Sequence, residues 1–326
     1  MKLVVYEDGY KVEESSKPSF EKNEVLVKIK SAGVCGSDIS RIFNKTSYYY
    51  PIVLGHEFAG VIEDSDDKTL IGKRVCVFPL IPCRKCEFCK KQQYANCVKY
   101  DYYGSRRDGG FQTYLAVKKS NLVFLPDNVS YDVGAMIEPI SVCLHAVKKL
   151  NIQKDSSVVI YGAGTIGILC GYWSKHFGAS KVYFVDIDEN KLSFIEDLGF
   201  ERYNGTTTDY AIECSGAEAC INSAINTVKA FSKVALVGNV HGDIKLKQST
   251  YSQLLRKQLT LVCNWNSDFN VLTNDWIDSI NVIANGGFNP ESIITHRVNL
   301  KEGEKAFDVL KNREFYIKIM VVNDDE

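Results

Sequence analysis

The sequence has almost no net charge, with 39 lysines and arginines against 40 acids, so no chain-wide basic field draws it to nucleic acid or anionic lipid. It has no apolar run near the roughly eighteen residues that a membrane helix needs. Its start, "MKLVVYEDGY", has one lysine and a short apolar stretch before acids, which matches neither a signal peptide nor a transit peptide. These absences lead to the expectation of a cytoplasmic protein with no nucleic-acid and no membrane partner. A disulfide framework is a poor explanation for the eleven cysteines, because the cytosol keeps thiols reduced and the number is odd. Internal repeats, low-complexity segments and long linkers are missing too.

What is present is a chain of 326 residues, 45% hydrophobic and 24% charged. Such a chain is globular and long enough for about two domains. In the first third, "EVLVKIK" alternates apolar and polar residues, and "FAGVIE", "KRVCVFPL" and "GGFQTYLAVKKSNLVFLP" follow as further strands. From about residue 131 the spacing turns helical in "DVGAMIEPISVCLHAVKKL". "SSVVIYGAGTIGILCGYWSKHFGASKVYFVDID" then reads as strand, glycine turn, helix and strand. "YAIECSGAE", "KVALVGNV" and "LTLVCNW" are short apolar runs of the kind buried in a parallel sheet, so a doubly wound α/β domain is expected. Periodicity does not assign the tail to either domain.

Two motifs carry specific chemistry. "CRKCEFCKKQQYANC" spaces Cys83, Cys86, Cys89 and Cys97 as C-x2-C-x2-C-x7-C, which suits a closed tetrahedral zinc site with a structural role. An iron–sulfur cluster fits less well, because the ferredoxin run has a shorter last gap and a proline after its fourth cysteine. "VVIYGAGTIG" places Gly162, Gly164 and Gly167 between a strand and a helix that opens with Thr165 and Ile166. There the glycines allow a tight turn, close approach of a pyrophosphate and close helix–strand packing. Asp186, about twenty residues on, is placed to accept from the adenosine ribose hydroxyls, and Ile187 after it is not a cation, so NAD is favoured over NADP. After "ERYN", only "GTTTD" precedes the next strand, too short for a parallel crossover. Either "ERYN" lies outside the sheet or a crossover helix has been lost.

Cys35 in "KSAGVCGSDI", His56 and Glu57 in "VLGHEFAG" and Glu138 in "AMIEPISV" are ligand types that zinc accepts, but spacing alone does not group them. Taken singly, each has an ordinary reading as a buried thiol, a turn histidine or a helix carboxylate.

In order, "GVCGSD", "GHEFAG", the four-cysteine stretch, "GSRRDGGF", "IEPISV" and "GAGTIG" resemble the zinc-dependent medium-chain dehydrogenases over essentially the whole chain, on the polyol branch. The resemblance implies a GroES-like, β-rich catalytic domain at 1–140, a Rossmann NAD-binding domain at 141–278, and a return of 279–326 to the catalytic domain. It implies a catalytic zinc on Cys35, His56 and Glu138, with Glu57 nearby as an outer group, and a structural zinc on the four cysteines. Two zincs and NAD are then the cofactors, and a homodimer or homotetramer is expected. The implied reaction is oxidation of a secondary alcohol of a polyol phosphate; Ser37, two residues from Cys35, is a candidate for relaying the proton, with a turn-capping serine as the alternative reading. Arg106, Arg107 and Lys257 are candidates for holding the phosphate. A dehydrogenase of free polyols or threonine, and a non-catalytic dinucleotide-binding protein, are the competing readings.

Overall fold

The computed structural model describes residues 1–240 and 242–323. The chain divides into two compact units, Met1–Glu138 joined by the chain from Asp268 on, and Pro139–Ser267.

The first unit is built on a seven-stranded sheet whose central strand is Glu24–Gly33. This strand pairs antiparallel with Glu57–Ser65, Tyr114–Lys118 and Lys318–Val322. Val25, Leu26 and Val27 are buried in succession, so both faces of the strand are covered, more than simple alternation of "EVLVKIK" would require. The tail contributes Ile294–Asn299 and Lys318–Val322, a parallel pair in the same sheet. A hydrophobic core running from Leu3 through Ile29, Phe58 and Phe111 to Phe307 and Val321 holds the unit together. Near its edge Phe269 and Trp276 pack on Phe78, with ring centroids 4.5 and 5.5 Å away. These contacts set the return of the chain at Asp268, eleven residues before the start at 279 drawn from sequence.

The second unit is a six-stranded, all-parallel sheet. Numbered by their order in the chain, its strands lie as 3-2-1-4-5-6, the arrangement of dinucleotide-binding domains. Glu201–Arg202 does join the sheet, beside Lys181–Val185, and among the described residues no helix forms between Arg202 and Thr208. Of the two alternatives the sequence left open, the lost crossover is the one that holds. The eleven cysteines are all free. No helix among the described residues is long and apolar enough to cross a membrane.

Candidate metal centres and dinucleotide site

Cys35 precedes the helix Gly36–Phe43, whose first turn carries Asp38. The Cys35 amide donates to Asp38 Oδ2 at 3.1 Å, which fixes the loop that carries the thiol. His56 sits between Gly55 and the strand Glu57–Ser65. Gly55 has φ +89°, and a Cβ there would lie 2.9 Å from the Phe111 ring. Gly104, at φ +74°, packs against the same turn, where a Cβ would meet the Gly55 carbonyl carbon at 2.6 Å. The glycines of "GHEFAG" and "YYGSRRDGG" therefore form one backbone junction that holds His56 in place.

Cys35, His56 and Glu57 each offer one ligand atom, all within 4.8 Å of one another. The Glu57 carboxylate, however, already has a cation. Its Oε2 pairs with the buried Lys318 ammonium, which also donates to the Val34 carbonyl at 3.0 Å. Gly33 makes room for this pair, since a Cβ there would lie 2.8 Å from Lys318 Nζ. Glu138, on the helix Tyr131–Leu150, is buried, and its Oε1 accepts from the Tyr102 hydroxyl at 3.3 Å. The Tyr102 ring lies 5.8 Å from the His56 ring.

Burial and neighbouring charges set the electrostatics of this cluster. Burial pushes the Glu138 carboxyl up to about 7 against the pull of His56. Burial opposes charge on His56, yet Cys35, Asp38 and Glu138 outweigh it and hold the imidazole at about 10. His56 Nδ1 and Asp38 Oδ1 are buried without a hydrogen-bond partner, 3.7 Å apart. One thiol, one imidazole and a carboxylate around unpaired buried polar atoms form a donor set suited to zinc. Ser37 stands beside Cys35, and its Oγ accepts from Arg41 Nη1 at 2.8 Å.

The four-cysteine lobe fits a second ion. Cys83, Cys86, Cys89 and Cys97 bring their sulfurs within 4.8 Å of one another. The Cys83–Cys89 and Cys86–Cys97 separations are both 3.9 Å. Tetrahedral zinc with Zn–S bonds of about 2.3 Å requires S···S distances of about 3.8 Å. The amides of Cys89 and Val98 lower the Cys86 thiol to about 6, towards the thiolate a metal needs. The lobe is closed off by the pairing of Leu80–Ile81 with Asp101–Tyr102.

In the second unit Gly162 turns at φ +107° after the strand Ser157–Tyr161, and Gly164 caps the helix Thr165–His176. A Cβ on Gly164 would meet nothing, which leaves open space beside the backbone, whereas one on Gly167 would strike the Gly162 carbonyl oxygen. Thr165 and Ile166 form the first turn of this helix, whose N-terminus favours an anion. Asp186 lies beside this loop. Its Oδ2 accepts from the Ala163 amide at 2.6 Å and its Oδ1 from the Asp188 amide at 2.9 Å.

Two residues of these sites have no sequence signal. Lys318 is 261 positions from the carboxylate it neutralises. Glu213 ends a buried strand and accepts from the Ser215 amide at 2.7 Å and the Gly216 amide at 2.9 Å, shaping the loop beside Gly162. The three basic candidates separate clearly. Arg107 Nε is 2.8 Å from Asp101 Oδ2, and the Lys257 ammonium donates to the Asn226 and Val228 carbonyls at 2.9 and 2.7 Å. Arg106 pairs with no carboxylate among the described residues.

A β-rich unit bearing two zinc-compatible donor sets, with a parallel dinucleotide-type sheet, defines the zinc-binding dehydrogenase class. Residues 21–127 match the alcohol dehydrogenase GroES-like domain and residues 165–285 the zinc-binding dehydrogenase domain, and the chain belongs to the zinc-dependent medium-chain dehydrogenase family. It is 35% identical over 336 residues to galactitol 1-phosphate 5-dehydrogenase of Escherichia coli (strain K12), covering 96% of this chain and 97% of that one. It is 30% identical over 314 residues to sorbitol dehydrogenase 1 of Saccharomyces cerevisiae, covering 87% and 86%. The crystal structure of galactitol-1-phosphate dehydrogenase from Escherichia coli superposes with TM-score 0.92 at 33% identity, covering 98% of this chain and 99% of that chain.

Proposed function

We propose that this protein oxidises a secondary alcohol of a polyol phosphate with zinc and NAD, galactitol 1-phosphate to tagatose 6-phosphate foremost. The likeness to galactitol 1-phosphate 5-dehydrogenase over nearly the full length of both chains supports the substrate class. The observation that carries the chemistry is a thiol, an imidazole and a carboxylate gathered within 4.8 Å at Cys35, His56 and Glu57, with the buried Glu138 outside that group but interacting with His56 and accepting from Tyr102.

Cys35, His56 and Glu138 hold the zinc on this reading. Glu57, already paired to Lys318, stands behind them as a fixed negative charge. Bound there, zinc supplies Lewis-acid stabilisation of negative charge on the alcohol oxygen, and NAD accepts the hydride. Asp38 places a negative charge 3.7 Å from His56 Nδ1 and anchors Cys35 by accepting from its amide. Ser37 Oγ, having accepted from Arg41, keeps a lone pair and its own proton, the two things needed to pass the alcohol proton on. Gly162, Gly164, Thr165, Ile166 and Gly167 cradle the pyrophosphate. Asp186 retains acceptor capacity on both oxygens for the ribose hydroxyls, and as a carboxylate it repels a 2′-phosphate. Cys83, Cys86, Cys89 and Cys97 hold the structural zinc. A homodimer or homotetramer in the cytoplasm is part of the same reading.

Glu138→Ala tests the division of labour. The variant is expected to contain about one zinc per chain instead of about two, to lose turnover, and to bind NADH as the parent does. Loss of NADH binding in a folded variant would contradict it. A dehydrogenase of free polyols is the second reading, favoured by the likeness to sorbitol dehydrogenase 1.

A further inference from the structure

Arg106 is an exposed arginine held in one position by aromatic rings rather than by an acid. Its guanidinium carbon lies 4.4 Å from the Tyr48 ring centroid and 4.3 Å from that of Tyr100, and Nη2 donates to the Tyr48 hydroxyl at 3.1 Å. The tyrosine hydroxyls engage part of the N–H fork, Tyr48 through Nη2, and a guanidinium carries five N–H donors in all, so donors remain for a ligand. The charge is left uncompensated by any carboxylate among the described residues, while the adjacent Arg107 is neutralised by Asp101.

The rings also connect Arg106 to the reacting centre within the first unit. Tyr100 lies 6.2 Å from Tyr102, and Tyr102 touches both Glu138 and His56. An oriented guanidinium with donors to spare suits the oxygens of a phosphate monoester, which accept charge-assisted hydrogen bonds from it. In a hexitol 1-phosphate oxidised at carbon 5, bonds of about 1.5 Å place the phosphate on the order of 7 Å from the reacting carbon. A phosphate-binding group is therefore needed near the zinc ligands but not among them.

We propose that Arg106, clamped between Tyr48 and Tyr100, binds the substrate phosphate and sets the preference for phosphorylated over free polyol. This rests on the polyol-phosphate reading above. The test is kcat/KM for galactitol 1-phosphate and for galactitol with the parent enzyme, Arg106→Gln, Arg106→Lys and Tyr48→Leu, each checked by thermal unfolding. The ratio of the two kcat/KM values is expected to fall about 10- to 100-fold in Arg106→Gln, the effect of losing a charge-assisted hydrogen bond, chiefly through KM for the phosphate. Arg106→Lys keeps the charge without the fork and recovers part of the ratio. Tyr48→Leu removes one face of the clamp and lowers the ratio with the arginine still present. Inorganic phosphate is expected to compete with galactitol 1-phosphate in the parent and more weakly in Arg106→Gln.

An unchanged ratio in folded Arg106→Gln overturns the role of Arg106 and leaves the substrate class standing. A parent enzyme with no preference for the phosphate overturns the substrate class itself, and the role of Arg106 with it. Should Arg106→Gln not fold, an unchanged ratio in Tyr48→Leu and Arg106→Lys overturns the clamp.

Discussion

At the scale of single residues, the reactive donors stand in recognisable stretches, but their partners do not. Cys35, His56 and Glu138 were nameable because "GVCGSD", "GHEFAG" and "IEPISV" resemble a family's motifs. Nothing about Lys318 marks it in sequence, because its significance comes from the register that sets the strand Lys318–Val322 beside Gly33 and Glu57. The Glu57–Lys318 pair is almost fully buried, with side-chain exposures of 2% and 1%, so removing one partner strands the other charge. Lys318→Met is expected to cost about 3–5 kcal/mol in urea unfolding, and Glu57→Gln combined with Lys318→Met to recover a large part of that. Simple addition of the two single losses in the double variant would contradict a coupled pair.

At the scale of elements, strand and helix order was legible, because period-two and three-to-four spacing reflect which faces are covered. The short link after "ERYN" was legible as too short for a helical crossover, while its consequence, a strand in the sheet with its crossover lost, needed the pairing of Glu201–Arg202 with Lys181–Val185. The lost segment leaves Thr208–Glu213 following directly on a two-residue edge strand. Asp209 takes part in the pairing there, accepting from the Ser157 amide and hydroxyl at 2.8 and 2.7 Å and from Lys229 at 2.6 Å. Burial opposes its ionisation, but Lys229 and Ser157 outweigh burial and hold the carboxyl below its usual 3.8. A depressed folded-state value contributes stability that is present above the unfolded value and lost as pH falls through the folded one. Asp209→Asn is therefore expected to narrow its stability gap to the parent as the pH drops below about 4. A gap that stays constant from neutral to acid pH would contradict this, as unfolding midpoints measured across that range would show.

At the scale of the whole molecule, two compact units divide the chemistry, one carrying the four-cysteine set and the Cys35, His56 and Glu57 set, and the other the glycine turn with Asp186. The division falls at Glu138, so a proposed ligand and the start of the second unit are adjacent in the helix Tyr131–Leu150. Sequence could place each motif but not its tertiary partners: the second boundary depends on Phe269 and Trp276 packing on Phe78, a contact no local pattern encodes. The most direct measurement is NADH formation with galactitol 1-phosphate, galactitol, sorbitol and threonine side by side, with zinc determined on the same sample. Turnover that strongly prefers the phosphate, with about two zincs per chain, is the expected result. No turnover on any of the four with both zincs present would contradict the assignment as a dehydrogenase of this substrate class, and turnover only on an unphosphorylated alcohol would contradict the choice of substrate.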